Sequence, residues 1–300
     1  MIDGKVCNNI TGNKSTMSCY ICKAKSSTFN NLENVTKLPV QNLKNGIYIL
    51  HSGIKSFECL LHISYKIPIR KWQTRENNEK EIVKNNKKII QEKFKTQLGL
   101  IIDRPKPGMG NYNDGNTARR FFKHYTLTSE ITGIDKNLIK NIYTILVVLS
   151  SKYTIEKNNF RKFCIETAKL YVSKYPWYNM SPTLHKILIH GPDIVCDSKL
   201  PVGILSEEAQ EACNKTFKKV RENNARRCGR KENLEDIFNF LIVNSDPIIT
   251  KTRKIPKKNK QELPQEVKEF LAIPNEITSD FECDSCDSAN EDNSSDENSS

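Results

Sequence analysis

Ser18-Cys19-Tyr20-Ile21-Cys22-Lys23 and, far downstream, His185-Lys186-Ile187-Leu188-Ile189-His190-Gly191-Pro192 together suggest how the two ends of the body meet. Two thiols and two imidazoles fill a tetrahedral Zn(II) shell. One ion at Cys19, Cys22, His185 and His190 would tie the chain near residue 20 to the chain near residue 190 and turn everything between them into a closed insertion. Each half of the pattern has other readings. Cys-x-x-Cys also serves redox chemistry and arises by chance among ten cysteines. Five residues advance an ideal helix by about 500°, so two histidines at that spacing share a face only if the helix ends between them. Gly191-Pro192 is the expected signal for such an end. Buried or surface histidines are the plainer alternative. Cys283 and Cys286 form a competing pair, but in an acidic tail where a ligand role is not expected.

Charge divides the chain unevenly. Nine of the 35 acidic residues, and no Lys or Arg, fall between Glu276 and Ser300, which leaves 47 basic against 26 acidic residues before them, a balance of +21. A body of that sign attracts polyanions, with nucleic acid the commonest and a Lys-rich solvated surface as the alternative. Three hundred residues with 37% hydrophobic content can bury a core outside the tails. No stretch approaches the roughly 20 apolar residues of a membrane span, and Met1 to Asn9 lacks a secretory pattern, so the cysteines are expected to stay reduced.

Periodicity places helices. Residues 1 to 30 read as a strand end, a loop and a zinc knuckle. Ser56 to Tyr65 reads as helix within an ambiguous apolar stretch, and Asn77 to Leu98 spaces Ile82, Ile89, Ile90 and Phe94 at helical intervals. A Pro- and Gly-rich basic loop from Arg104 runs into a helix near Thr117. There Arg119 and Arg120 are candidates for phosphate contact at a helix start. Further helices are expected over Lys136–Ser150, Ile155–Lys174 and Ser181–Ile189, with Asp135, Thr154 and Ser181 at their starts, then from Ser206 toward Arg226 and over Glu232–Val243. Trp72, Trp177, Phe121 and Phe122 read as packing residues. The basic run Lys251 to Lys260 reads as a nuclear address, a DNA-contacting tail or a solvated linker, and the acidic tail beyond it as disordered.

The helix from Ser206 aligns Ala209, Cys213, Phe217 and Val220 as one stripe and Glu208, Glu211, Lys215 and Lys218 as another. A carboxylate for Mg(II) followed by lysines for phosphates suits nucleotidyl transfer, and an ordinary salt-bridged surface helix explains the same pattern.

Taken in order, Asp3, Tyr20-Ile21-Cys22, Asp114 to Arg120, His185 to His190, and Ser206 through Glu211, Asn214, Lys215, Phe217, Arg221, Asn224 and Arg226 resemble the C-terminal part of the catalytic core of the recombination-activating (RAG) recombinase and its Transib transposase relatives. The resemblance runs from about residue 3 to about residue 253. It implies a ribonuclease-H-like core in which three carboxylates hold two Mg or Mn ions for attack on a DNA phosphodiester. A helical insertion would lie between the second and third carboxylates, braced by a Cys2His2 zinc. Asp3 and Glu211 would be those carboxylates; Cys19, Cys22, His185 and His190 would hold the zinc.

The expected architecture is therefore mainly α. It is a zinc-braced helical insertion (31–180) on a truncated remnant of an RNase H-like α/β core (1–30), followed by a segment carrying the histidines and the glutamate helix (181–250) and a basic linker with an acidic tail (251–300). The first catalytic Asp should lie upstream of Asp3. The expectation is accordingly a nuclear, DNA-binding protein that does not cut DNA alone. The alternatives are an active nucleotidyltransferase, if another chain or an unseen N-terminal segment supplies the missing Asp, and a decayed remnant; a homo-oligomer is a further partner expectation. DNA is the expected partner, and no membrane association is expected. Arg119, Arg120, Lys215 and Lys218 are the candidate nucleic-acid contacts.

Overall fold

The computed structural model describes residues 4–13, 15–105, 113–206, 208–252 and 262–272. The chain is mainly helical, as expected. In chain order the helices are α1 (Gly4–Ile10), α2 (Leu32–Val35), α3 (Ile49–Lys66), α4 (Asn77–Leu98), α5 (Gly115–Lys123), α6 (Tyr125–Thr132), α7 (Lys136–Ser150), α8 (Lys157–Lys174), α9 (Pro182–His185), α10 (Gly191–Asp197), α11 (Glu208–Asn223), α12 (Arg230–Ser245), α13 (Pro247–Thr252) and α14 (Gln265–Lys268). Among the described residues the strands are two short ones, β1 (Thr154–Ile155) and β2 (Leu271–Ala272), paired antiparallel with Ile155 opposite Leu271.

The core is built around α3. Phe57, Leu60, Leu61 and Ile63 are fully buried there, and the helix packs on α4, α5, α7 and α9. Its apolar period starts seven residues before Ser56, so the helix is longer than the sequence suggests. In α7, Leu138, Ile142, Ile145 and Leu149 repeat at three- and four-residue steps and are all buried. Asp135 caps this helix by accepting from the Leu138 amide at 3.0 Å, and Gly99, at φ 60°, ends α4 in the left-handed conformation that favours glycine. Phe121 meets Phe57, Phe94 and Phe122 at ring-centroid distances of 4.8, 5.8 and 5.2 Å. The aromatic pair on α5 is core, as expected.

Several expectations are corrected. Residues 4–10 form a helix in place of the expected strand end, with Cys7 buried on it. In α4 the inward stripe runs through Ile90, Phe94 and Leu98, whereas Ile82 and Ile89 are 38% and 54% exposed. Their spacing is helical, but they lie on the flank of the stripe that meets α3. At the start of α8, Thr154 belongs to β1, and the Glu156 carboxylate takes the capping role by accepting from the Asn158 and Asn159 amides. Residues 262–272, expected as linker, fold back instead, because Val267, Phe270 and Leu271 supply enough apolar surface to pack with the core. Lys140 pairs with Glu266 at 2.7 Å to hold them there.

Beyond Leu205 the chain forms a helical hairpin. Val220 of α11 and Ile237 of α12 are buried, and Arg226 in the turn grips Asp236 through Nε and Nη2 at 3.0 and 2.9 Å. On α11 the expected apolar stripe is partial, since Cys213 is exposed. Asp246, expected to stop α12, does so and then caps α13 by accepting from the Ile248 and Ile249 amides.

Candidate metal centre

Four elements bring the centre together. Cys19 and Cys22 sit on a tight turn in which the Cys19 amide donates to Ala24 O at 2.9 Å and the Lys23 amide to Cys19 O at 2.8 Å. Lys23 adopts φ 60° to complete it. An isolated bridge between Ser18 and Lys25 closes its base. The turn is anchored from the segment that follows it. Tyr20 donates its hydroxyl to Gly46 O at 2.8 Å, and Asn42 donates its side-chain amide to Tyr20 O at 3.3 Å.

The histidines come from the other end of the chain. Ser181 caps α9 by accepting from the Leu184 amide at 3.2 Å. The helix then does not end between the histidines, as the sequence suggested; it widens. Lys186–His190 is a π turn with α10 continuing directly from it. A π turn bonds residues five apart, so it places residue i above residue i+5 where an α-helix would not. His185 and His190 consequently face one another, with ring centroids 5.0 Å apart.

The four potential ligand atoms of Cys19, Cys22, His185 and His190 all lie within 4.8 Å of one another, and all four residues are buried. Cys22 Sγ is 3.4 Å from His185 Nε2. A tetrahedral zinc shell has Zn–S near 2.3 Å and Zn–N near 2.0 Å, so its ligand atoms stand about 3.3–3.8 Å apart. The cluster needs only a small contraction to reach that.

The surroundings favour a cation. His190 Nδ1 and Nε2 and His185 Nδ1 are buried without a hydrogen-bond partner, a costly arrangement unless an ion satisfies one nitrogen of His190. A hydrogen bond from Cys22, helped by His185 and His190, holds the Cys19 thiol far below its ordinary value. Cys22 is raised in turn by that same bond and by burial. Burial pushes His185 down and keeps its imidazole neutral. The group thus combines a Cys19 thiol biased toward thiolate, a second thiol and two imidazoles, with His185 biased toward its neutral form. This donor set fits a divalent metal, and with four protein ligands it leaves no open position for a substrate.

Several supporting residues carried no sequence signal. Phe29 lies flat on His185, with centroids 4.0 Å apart and planes 8° from parallel. Asn30 donates to Tyr178 O at 3.1 Å and accepts from the Met180 amide at 2.9 Å, which ties the loop after the knuckle to the chain leading into α9. Lys186 lies 4.6 Å over the Tyr20 ring. A cleft of about 440 Å³ lined by Val35, Arg161, Ile165, Lys169, His190 and Asp193 opens beside the cluster.

Among the described side chains, Arg119, Arg120, Lys215 and Lys218 do not belong to this cluster. Asp3 is outside the described residues. Glu211 falls in α11, and its side chain is outside them too. Arg119 donates to Asn116 Oδ1 at 3.1 Å, and Arg120 donates to the Leu98 carbonyl at the end of α4. Lys215 and Lys218 are exposed on α11, with Lys218 3.8 Å from Glu222.

No family model matches this sequence, and no curated protein does either. The reading of the site therefore rests on its own geometry and chemistry.

Proposed function

We propose that this chain is a zinc-braced, nuclear DNA-binding protein of recombinase or transposase descent. The observation that carries the proposal is the convergence of Cys19, Cys22, His185 and His190 into one buried cluster. These are the four residues that the resemblance to the recombination-activating recombinase and Transib transposases picks out as zinc ligands. Support also comes from the charge, 47 basic against 35 acidic residues, and from exposed lysines on α11. Zinc is the ion proposed, because two thiolates with two imidazoles are borderline-soft donors that suit a tetrahedral d10 cation. Its role is structural: it fixes the knuckle against the π turn.

Asp3 and Glu211 are proposed as carboxylates of a two-metal centre for Mg or Mn. Such a centre needs a third carboxylate. Strand cleavage is accordingly proposed only where a third carboxylate completes the centre, and an RNase H-like core belongs to the same proposal. For the chain itself the function is DNA binding through the basic surface, with Arg119, Arg120, Lys215 and Lys218 as candidate contacts. The basic run Lys251–Lys260 is the proposed nuclear address; residues 253–260 lie outside the described ones.

The test is zinc-loaded protein titrated with duplex DNA across a salt series. Affinity that falls linearly on a log–log plot, with a slope of several units, supports the reading. Affinity too weak to measure at low salt, in a folded and zinc-loaded protein, overturns it.

A further inference from the structure

The four clustered side chains are all buried, yet they are not covered in the same way. The knuckle lies under the chain that follows it. The Gln41 amide donates to Ile21 O at 3.1 Å, and Tyr20 is held through its carbonyl by Asn42 and through its hydroxyl by Gly46. Phe29 lies flat on His185. His190 alone of the four lines the cleft of about 440 Å³, which Thr36 and Val40 share with Arg161 and Ile165 of α8.

The position of His190 also depends on an unusual backbone. It closes the π turn Lys186–His190, and that turn sets its ring 5.0 Å from His185. In an α-helix the same five-residue step advances about 500°, which would leave the two side chains about 140° apart around the axis. Tightening the π turn into an α turn therefore takes His190 out of the cluster while Cys19, Cys22 and His185 stay in place. Turns of this kind recur at functional sites. Both ring nitrogens of His190 lack a hydrogen-bond partner in the buried position, and they gain water once the ring turns into the cleft.

We propose that this cleft is the port through which the cluster, read as the zinc brace, exchanges its metal, and that His190 is the gate. It is the last ligand to bind and the first to let go. Exchange of this kind is a local opening that leaves α3, α7 and α8 packed.

The test is the rate of zinc transfer from the full, zinc-loaded chain to a saturating chromogenic chelator, with zinc affinity measured alongside by competition. Val40→Trp puts an indole into the cleft at a residue that is 40% exposed. It should slow release about tenfold and leave affinity unchanged, because a plugged route raises the barrier and neither end state. Loading is then slowed by the same factor. Asn42→Ala, which loosens the cover over the knuckle, should leave the release rate unchanged. Release should also be insensitive to urea well below the unfolding midpoint, since a local step exposes little surface.

Release from Val40→Trp as fast as from wild type overturns the port. Faster release from Asn42→Ala overturns it too and moves the route to the knuckle, as does release that climbs with urea in step with global unfolding. If Val40→Trp fails to fold, Thr36→Trp plugs the same cleft and is read in the same way. A folded wild-type chain that holds no zinc overturns the brace itself, and the port with it, whereas a zinc-loaded chain with unaltered rates overturns the port alone.

Discussion

Cys22 Sγ lies 3.4 Å from His185 Nε2 although 163 residues separate them in the chain. The knuckle and the π turn are each local, and their meeting is the longest-range relationship in the cluster. Metal analysis of purified protein is expected to find one zinc per chain. Cys22→Ser and His190→Ala should each lose it. Chelation should cost at least about 3 kcal/mol and lower the melting temperature by roughly 6–12 °C. Full zinc retention in both variants would refute the brace.

Phe29→Ala removes the ring that stacks on His185 and leaves a cavity in a fully buried position. The expected loss is about 3–5 kcal/mol in thermal or urea unfolding. Phe29 also fixes the orientation of the His185 ring, a proposed ligand. Zinc affinity, read by competition with a chromogenic chelator, should therefore fall about 10- to 100-fold.

Asp103 predicts an acid-sensitive step away from the metal. Burial tends to raise its carboxyl, but a hydrogen bond from Asn113 and the Lys87 ammonium, 3.1 Å away, win and hold it below its ordinary value. A carboxyl depressed in the folded state stabilises the fold above its unfolded pKa, and the contribution is lost as pH falls through the folded one. Stability should thus decline as pH drops below about 4. Asp103→Asn should flatten that decline and cost about 1–2 kcal/mol at pH 7. Asparagine also tolerates the positive φ of 49° at this position, so the backbone is undisturbed. An unchanged acid profile in the variant would assign the decline to other groups.

At Gly203 a single methyl group should be poorly tolerated. A Cβ there would stand 2.1 Å from Ser151 O and 2.4 Å from Ser150 O, both backbone atoms at the end of α7. Gly203→Ala should destabilise by about 1–3 kcal/mol. Zinc content should stay at one per chain, because none of the atoms this methyl group would meet belongs to the four clustered residues. A melting temperature equal to wild type would show that the turn shifts freely.

On α11, Lys215→Ala with Lys218→Ala separates phosphate contact from plain solvation. If both touch DNA, the log–log salt slope should shrink by about 0.9 for each phosphate that is no longer neutralised. Arg120→Ala should in addition lower stability by about 1 kcal/mol, because its bond to the Leu98 carbonyl disappears. A change in affinity with no change in slope would remove Lys215 and Lys218 from the interface.

Much of the helical order was legible in the sequence where period and cap agreed. Asn77–Leu98 ends on Gly99, and Lys136–Ser150 begins after Asp135, so both spans follow from local chemistry. The residues of the buried Cys–His cluster were legible as residue types. Its geometry was not, because the π turn leaves the apolar pattern of Lys186–His190 unchanged while altering which residues share a face. Phe29 and Asn30 were invisible for a related reason: their roles come from chain that folds beside them about 150 residues later. The fold-back of residues 262–272 depends on three apolar side chains in a polar stretch, too few to set a period.

The π turn also bears on the order in which the molecule assembles. Joining two points 163 residues apart costs about 4.5 kcal/mol of loop-closure entropy on its own, before any favourable packing offsets it. The knuckle closes over four residues and the histidine turn over six, so each half can form early and locally. Their union must wait for α3, α7 and α8 to shorten the distance between them. The cluster is thus expected to close as a late latch on a body already collapsed. Lesions in the helical core should slow its closing, whereas lesions in the latch should mainly speed its opening.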